Sequence, residues 1–284
     1  MPGESLLPPQ PRSATLTAAD GVRIHYQHWP VDAPRAGVLV SHGLGEHGGR
    51  YAALARDLAP RGISVCAIDH RGHGRSGGPR AYARRFEQVV EDLEALRREL
   101  AAGLFAGLPV FLLGHSLGGL VAIRHLQAHP GVFRGAVLSA PLLGVAVQAA
   151  RWKVAFSGVL SKLIPALPIP NEITPGQLSR DEAYVRSYLE DPLVHTKITP
   201  RLYTEFMAHI GHASADAGRL DAPLLFVVPT ADVIVQPAAV LRFAQALAGD
   251  VTIRSYEGYR HESFNDLGRE RVIDDIAAWI EARL

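Results

Sequence analysis

With 48 % hydrophobic and 20 % charged residues, the 284-residue chain can bury the core of one large domain carrying an insertion, and a disordered chain is excluded. Its formal net charge of +1, with no Lys/Arg run, provides nothing to neutralise phosphates, so no nucleic-acid partner is expected. The single cysteine, Cys66, cannot form an intramolecular disulfide and reads as a small core residue.

Residues 1–12 are proline-rich and read as a flexible leader. They have neither the basic nor the apolar region of a signal peptide, and no stretch of the chain is long and apolar enough to span a bilayer. A cytoplasmic location, peripheral to membrane at most, is therefore expected. Residues 22–29 alternate with period 2 and predict an early antiparallel strand. Apolar runs at 36–40, 64–68, 110–113, 135–138, 224–228 and 251–256 predict core strands. Helical patterns near 50–59, 85–102, 117–128, 237–247 and 269–283 lie between them. This alternation predicts an α/β fold, a mostly parallel central sheet flanked by helices. Residues 142–220 break it with six prolines from Pro165 to Pro200 and short amphipathic pieces. An unstructured loop of that length is improbable in a compact domain, so the segment is expected to be an inserted helical cap. The core is then 13–141 and 221–284.

Gly114-His115-Ser116-Leu117-Gly118 has the Gly-x-Ser-x-Gly form of a nucleophile elbow. A buried strand pattern precedes it and a helical pattern follows. That context presents Ser116 above the sheet at the positive end of a helix. A serine needs a positioned base, and the base an orienting acid. Asp232 follows the strand pattern at 224–228, and His261 follows the one at 251–256. Both fall past the C-terminal ends of strands, in the order Ser, Asp, His. Asp221 precedes its strand and Asp216 lies in the cap, so both are worse placed as the acid. Donors for a developing oxyanion are expected from the backbone N–H groups of Leu117 and Leu44, the latter in the loop after the strand at 36–40.

These blocks form a pattern together. His42-Gly43-Leu44-Gly45-Glu46-His47-Gly48-Gly49-Arg50-Tyr51, Asp69-His70-Arg71-Gly72-His73-Gly74-Arg75-Ser76, the elbow through Gly119, and the Asp232/His261 pair resemble the monoacylglycerol lipase / lysophospholipase group of the α/β-hydrolase superfamily. The resemblance runs from about residue 15 to the C-terminus and is weakest in the cap. It implies the α/β-hydrolase fold and a serine esterase that cleaves monoacylglycerols to glycerol and fatty acid. It also implies that Glu46 and Arg50, with His115, contact the substrate's head group beside Ser116. A Glu and an Arg four apart at a helix start are equally an ordinary surface pair. Leu117 stands where the group often has Met, which alters packing and leaves the amide available.

Asp69 and Arg71 are expected to tie a turn together. His70/His73 and His209/His212 are spaced as metal ligands, but no carboxylate or cysteine completes a convincing set, so no metal and no other cofactor is expected. In the cap, apolar residues of 145–169, among them Val145, Val147, Trp152, Val154, Phe156, Val159, Leu160, Leu163, Ile164, Leu167 and Ile169, are interspersed with Arg151, Lys153 and Lys162. They either cover the site, or line an acyl tunnel and touch a membrane or micelle surface transiently, or both. The triad does not encode the leaving group. Lysophospholipase, carboxylesterase, thioesterase and peptidase activities stay open, as does a catalytically silent lipid-binding protein, against which the intact Ser116/Asp232/His261 set weighs. An aspartate in place of Ser116 would have indicated an epoxide hydrolase or dehalogenase.

Overall fold

The computed structural model describes residues 10–146 and 151–284, and of residues 151–155 the backbone alone. Most of the expected leader, Val147, and the side chains of Arg151, Trp152, Lys153 and Val154 therefore lie outside the described residues.

In chain order the elements are β1 (Arg12–Thr17), β2 (Arg23–Trp29), β3 (Ala36–Ser41), α1 (Ala52–Leu58), β4 (Ile63–Ile68), α2 (Phe86–Ala102), β5 (Val110–His115), α3 (Leu117–Ala128) and β6 (Gly135–Ser139). There follow α4 (Arg151–Leu163), β7 (Ile169–Pro170), α5 (Glu182–Glu190), β8 (Lys197–Ile198), α6 (Pro200–Ala215), β9 (Leu224–Pro229), α7 (Pro237–Ala246), β10 (Val251–Tyr256) and α8 (Arg269–Glu281). Eight strands form one sheet in the order β1-β2-β4-β3-β5-β6-β9-β10. β2 is antiparallel to both β1 and β4, and every other pair is parallel. The mostly parallel sheet expected from the alternation is present. β1 was not expected. It starts inside the segment read as leader, and five of its six residues are exposed, so it carries no apolar alternation to find.

Each central strand sends successive side chains to opposite faces, and both faces are covered. Val38, Val40, Phe111, Leu113, Leu225 and Val227 pack with Leu54, Leu58, Ile276 and Ile280 of α1 and α8. Leu39, Leu112, Leu138, Phe226 and Val228 pack with Leu93, Leu96, Leu120 and Ile123 of α2 and α3. Continuous apolar runs rather than alternation are what two-sided burial demands, and that is how these strands read in the sequence.

From β3 the chain passes through α1 to β4 on one side, whereas β5, β6, β9 and β10 extend the sheet on the other. The reversal falls between β3 and β5. At such a switch point the connecting loops diverge and leave a crevice beyond the strand ends. The loops after β3 and β5 flank it.

Among the described residues, the segment between β6 and β9 adds no strand to the central sheet. It holds α4, α5, α6 and the two-residue antiparallel pair β7/β8. Asp69 and Arg71 do hold the turn after β4, but separately. The Asp69 carboxylate faces His25 Nδ1 and accepts from the Gly48 and Arg75 N–H groups, while Arg71 pairs with Asp92 and Asp20.

Candidate active site

The turn between β5 and α3 forces Ser116 to φ 53°, ψ −119°, a conformation sterically costly for a residue with a Cβ. Three anchors hold it there. The Ser116 N–H donates to Ser139 O at 3.0 Å, and Ser116 O accepts from the Gly119 and Leu142 N–H groups at 2.9 Å each. Gly118 permits the approach of α3 to β3, since a Cβ there would lie 2.0 Å from Ser41 O and 2.4 Å from His42 O.

The loop after β3 is fixed by buried histidines. His42 Nδ1 donates to Gly43 O at 2.7 Å, and its Nε2 accepts from the His70 N–H at 2.9 Å. Burial pushes the His42 ring well below the usual histidine range, with His70 and His73 adding to the effect. Gly45, at φ 81°, sits against the insertion: its carbonyl accepts from the His195 N–H at 2.9 Å, and a Cβ would meet His195 O at 2.3 Å.

Asp232 lies in the loop after β9 and His261 in the loop after β10. Thr230 N–H to Tyr256 O, Ala231 N–H to Tyr259 O and Gly258 N–H to Thr230 Oγ1 join the two loops. His261 Nδ1 lies 2.7 Å from Asp232 Oδ2. The other carboxylate oxygen, Oδ1, accepts from the Ile234 and Val235 N–H groups at 2.8 and 3.0 Å. Both side chains are buried. Burial disfavours the charged imidazole, but the Asp232 carboxylate, aided by Glu262 and Glu46, outweighs it and raises His261 above its ordinary value. The rival acids are elsewhere: Asp216 pairs with Arg124, and Asp221 sits ahead of β9.

Ser116 forms a wall shared by two cavities. The larger opens to solvent and is lined by Leu44, Leu117, Leu142, Leu160, Ile173, Tyr203 and Phe206 among others. Most of its lining is apolar, and α4 and α6 of the insertion contribute to it. The smaller brings Gly43, Glu46, His115, Ser116, Tyr188, His261 and Glu262 together with the apolar Leu44, Ile173 and Leu178. The N–H groups of Leu44 and Leu117 have no acceptor among the described residues, and both residues line the larger cavity beside Ser116. His115 packs its ring against His261 at 4.8 Å and lies 3.4 Å from Ser139 Oγ through Nδ1. Burial, then the nearby His261, keeps the His115 ring well below the usual histidine range.

Glu46 is buried and accepts from the Gly43 N–H at 2.6 Å and the Tyr51 hydroxyl at 3.0 Å. Burial and the neighbouring Glu262 carboxylate push it up to about 7, against the pull of Arg50. Arg50 does not line either cavity. Its guanidinium lies between the rings of Tyr184 and Tyr188, 4.7 and 4.5 Å from their centroids, two residues one turn apart on α5. Its Nε lies 3.6 Å from Glu46 and its Nη2 3.8 Å from Glu262. The pair is thus no surface pair, and it reaches the small cavity through carboxylates. Glu262 is held in turn by the Tyr184 hydroxyl and by Asn265 Nδ2 at 3.0 Å. Glu262, Tyr184, Tyr188 and Asn265 had not been singled out. The position of Glu262 beside His261 was the one signal available for it, and the tyrosine spacing of four was the signal for the clamp.

Residues 32–268 match the family described as serine aminopeptidase, S33. The chain is 36 % identical to the monoacylglycerol lipase of Mycolicibacterium smegmatis, over 95 % of this chain and 97 % of that one. It is 34 % identical to the human monoglyceride lipase, over 94 % of this chain and 90 % of that one. Its structure superimposes on the crystal structure of Paleococcus ferrophilus monoacylglycerol lipase with a TM-score of 0.82 at 33 % identity, covering 97 % and 100 % of the two chains. The fold is accordingly that of the α/β-hydrolases.

Proposed function

The chain belongs to the serine aminopeptidase, S33, family of α/β-hydrolases, and on that premise we propose that it cleaves monoacylglycerols to glycerol and a fatty acid through an acyl-enzyme on Ser116. The observation that carries this reading is the place of Ser116 in the wall between a large apolar cavity and a smaller one to which Glu46, Tyr188, His261 and Glu262 bring polar side chains. An ester carbonyl at Ser116 would direct its acyl chain into the first and its alcohol into the second. Glu46 and Glu262 supply carboxylates that accept from glycerol hydroxyls, and Arg50 acts through them rather than by contact.

The Asp232–His261 pair and the cavity shared by Ser116 and His261 support the following chemistry. Asp232 accepts a hydrogen bond from the Nδ1–H of His261, which leaves the Nε2 lone pair to accept the Ser116 proton as Oγ attacks the ester carbonyl. The Leu44 and Leu117 N–H groups hold the oxyanion, each worth on the order of 10² to 10³ in rate. His261 then protonates the departing glycerol oxygen. Water, deprotonated by His261, attacks the acyl-enzyme and releases the acid, returning Ser116 to its starting form.

The segment 142–220 serves as the cap over this site. Phe156, Val159 and Leu163 of α4 are 56, 51 and 74 % exposed, with Ile164 and Leu167 following, and Lys162 lies among them. This apolar face supports transient contact with a lipid surface, from which the substrate would enter the larger cavity. No helix among the described residues is long and apolar enough to cross a membrane.

A fluorophosphonate probe tests the nucleophile. Wild-type protein is expected to take up one equivalent, and Ser116→Ala none. An adduct that survives in Ser116→Ala would refute the assignment.

A further inference from the structure

The proposed ester chemistry leaves His209 and His212 of α6 unused. They lie one turn apart, with ring centroids 4.9 Å apart. Glu205, four residues before His209, shares its side of the helix, and Glu87 in the first turn of α2 faces both. One ligand atom from each of Glu87, Glu205 and His209 lies within 4.8 Å of the others.

We propose that Glu87, Glu205 and His209 bind one zinc-like divalent ion at the seam between α2 and α6, with water completing its coordination. Two ligands on one tetrahedral zinc, each about 2.1 Å away, sit about 3.4 Å apart. His209 Nε2 and Glu87 Oε1 already stand 3.3 Å apart. His209 is buried, and Phe86 stacks on its ring at 4.5 Å and 27°, which fixes the plane of the imidazole. Glu205 is held as well: Oε2 accepts from the Phe86 N–H at 2.8 Å, and Oε1 faces Arg201 at 3.5 Å. Outer partners of this kind orient metal ligands. Two carboxylates balance a dication, and the imidazole favours zinc, nickel or copper over magnesium or calcium.

A second group of similar composition, Glu94, His125 and His129, does not offer the same site. Both oxygens of Glu94 are occupied by Arg97 and Arg98, whose guanidinium charges repel a cation. At the α2–α6 seam Arg201 faces one oxygen of Glu205, and Arg124, near His209, is already paired with Asp216. The seam also matters for the fold. α2 covers the central sheet, whereas α6 carries Tyr203 and Phe206 into the wall of the larger cavity. An ion there would tie that wall to the core.

The test uses the full chain, zinc, and a chromophoric chelator in competition, with thermal unfolding as a second readout. Wild-type protein is expected to bind one zinc at micromolar or lower concentration and to unfold several degrees higher in its presence, while magnesium leaves the midpoint in place. Glu87 is half exposed at a helix start, so Glu87→Gln should fold normally, bind zinc about tenfold or more weakly and lose the midpoint shift. Absence of stoichiometric zinc binding in the wild type would overturn the proposal. So would binding that is unchanged in Glu87→Gln, or that is lost in His261→Ala instead, since either would put the ion elsewhere.

Discussion

Replacing Asp232 with Asn changes one atom type and exposes how the proposed base works. Asp232 Oδ1 accepts from two backbone N–H groups at 2.8 and 3.0 Å, and Oδ2 faces His261 Nδ1 at 2.7 Å. An amide can satisfy one side only. Turning its NH2 toward the Ile234 and Val235 donors would leave both unpaired, at about 1–3 kcal/mol each. The amide oxygen therefore stays on the backbone and the NH2 faces His261. Nδ1 then becomes an acceptor, its proton moves to Nε2, and the ring can no longer take the Ser116 proton. The expected loss in kcat is about 10³ to 10⁴, or roughly 4 to 5.5 kcal/mol. Steady-state hydrolysis of a monoacylglycerol and the rate of fluorophosphonate labelling should fall together, because both need the activated serine. A variant within tenfold of wild type in both assays would refute the tautomer argument.

His261 acts as a base only when neutral, and its pKa lies above the ordinary value of about 6.5. Activity should therefore fall as pH drops through a midpoint above 6.5, and kcat/KM against pH reads it directly. Glu262→Gln removes the larger of the two carboxylate charges that aid Asp232 in raising His261, so the midpoint should move down; a midpoint that stays put, or a wild-type midpoint near 6, would contradict the electrostatics. Leu163 is 74 % exposed on α4, so Leu163→Asp should leave turnover of a soluble ester unchanged while lowering turnover of substrate in lipid vesicles several-fold. Equal loss on both substrates would mean damage to the site rather than to surface contact.

Those elements that bury both faces of a strand were legible in the sequence because such strands have no polar side to disguise them. β3, β5 and β9 are examples, as is the elbow after β5 with its flanking glycines. Asp232 could be sought in its loop because that loop follows the strongly apolar β9, whereas β10 ahead of His261 is half-buried and carries Thr252, Arg254 and Ser255, so the order Ser, Asp, His was the stronger signal there. β1 could not be placed, since its pairing with β2 is written in backbone hydrogen bonds while its side chains stay exposed. The surroundings of Arg50 were equally hidden. They join residues 46–51, 184–188 and 262–265, whose proximity depends on how the insertion settles over the core. The spacing of His209 and His212 is legible in the sequence, but the carboxylates beside His209 are not: Glu87 comes from another helix, and Glu205 lies one turn earlier on the same one.

The two-cavity arrangement at Ser116 is tested most directly by the kcat/KM of the wild-type chain for a set of esters. It should include medium- and long-chain monoacylglycerols, lysophospholipids, triacylglycerols and short p-nitrophenyl esters. Monoacylglycerols are expected to exceed all of the others, with glycerol and fatty acid released in equal amounts and no turnover in Ser116→Ala. A clear preference for lysophospholipids or short esters over monoacylglycerols would contradict the account.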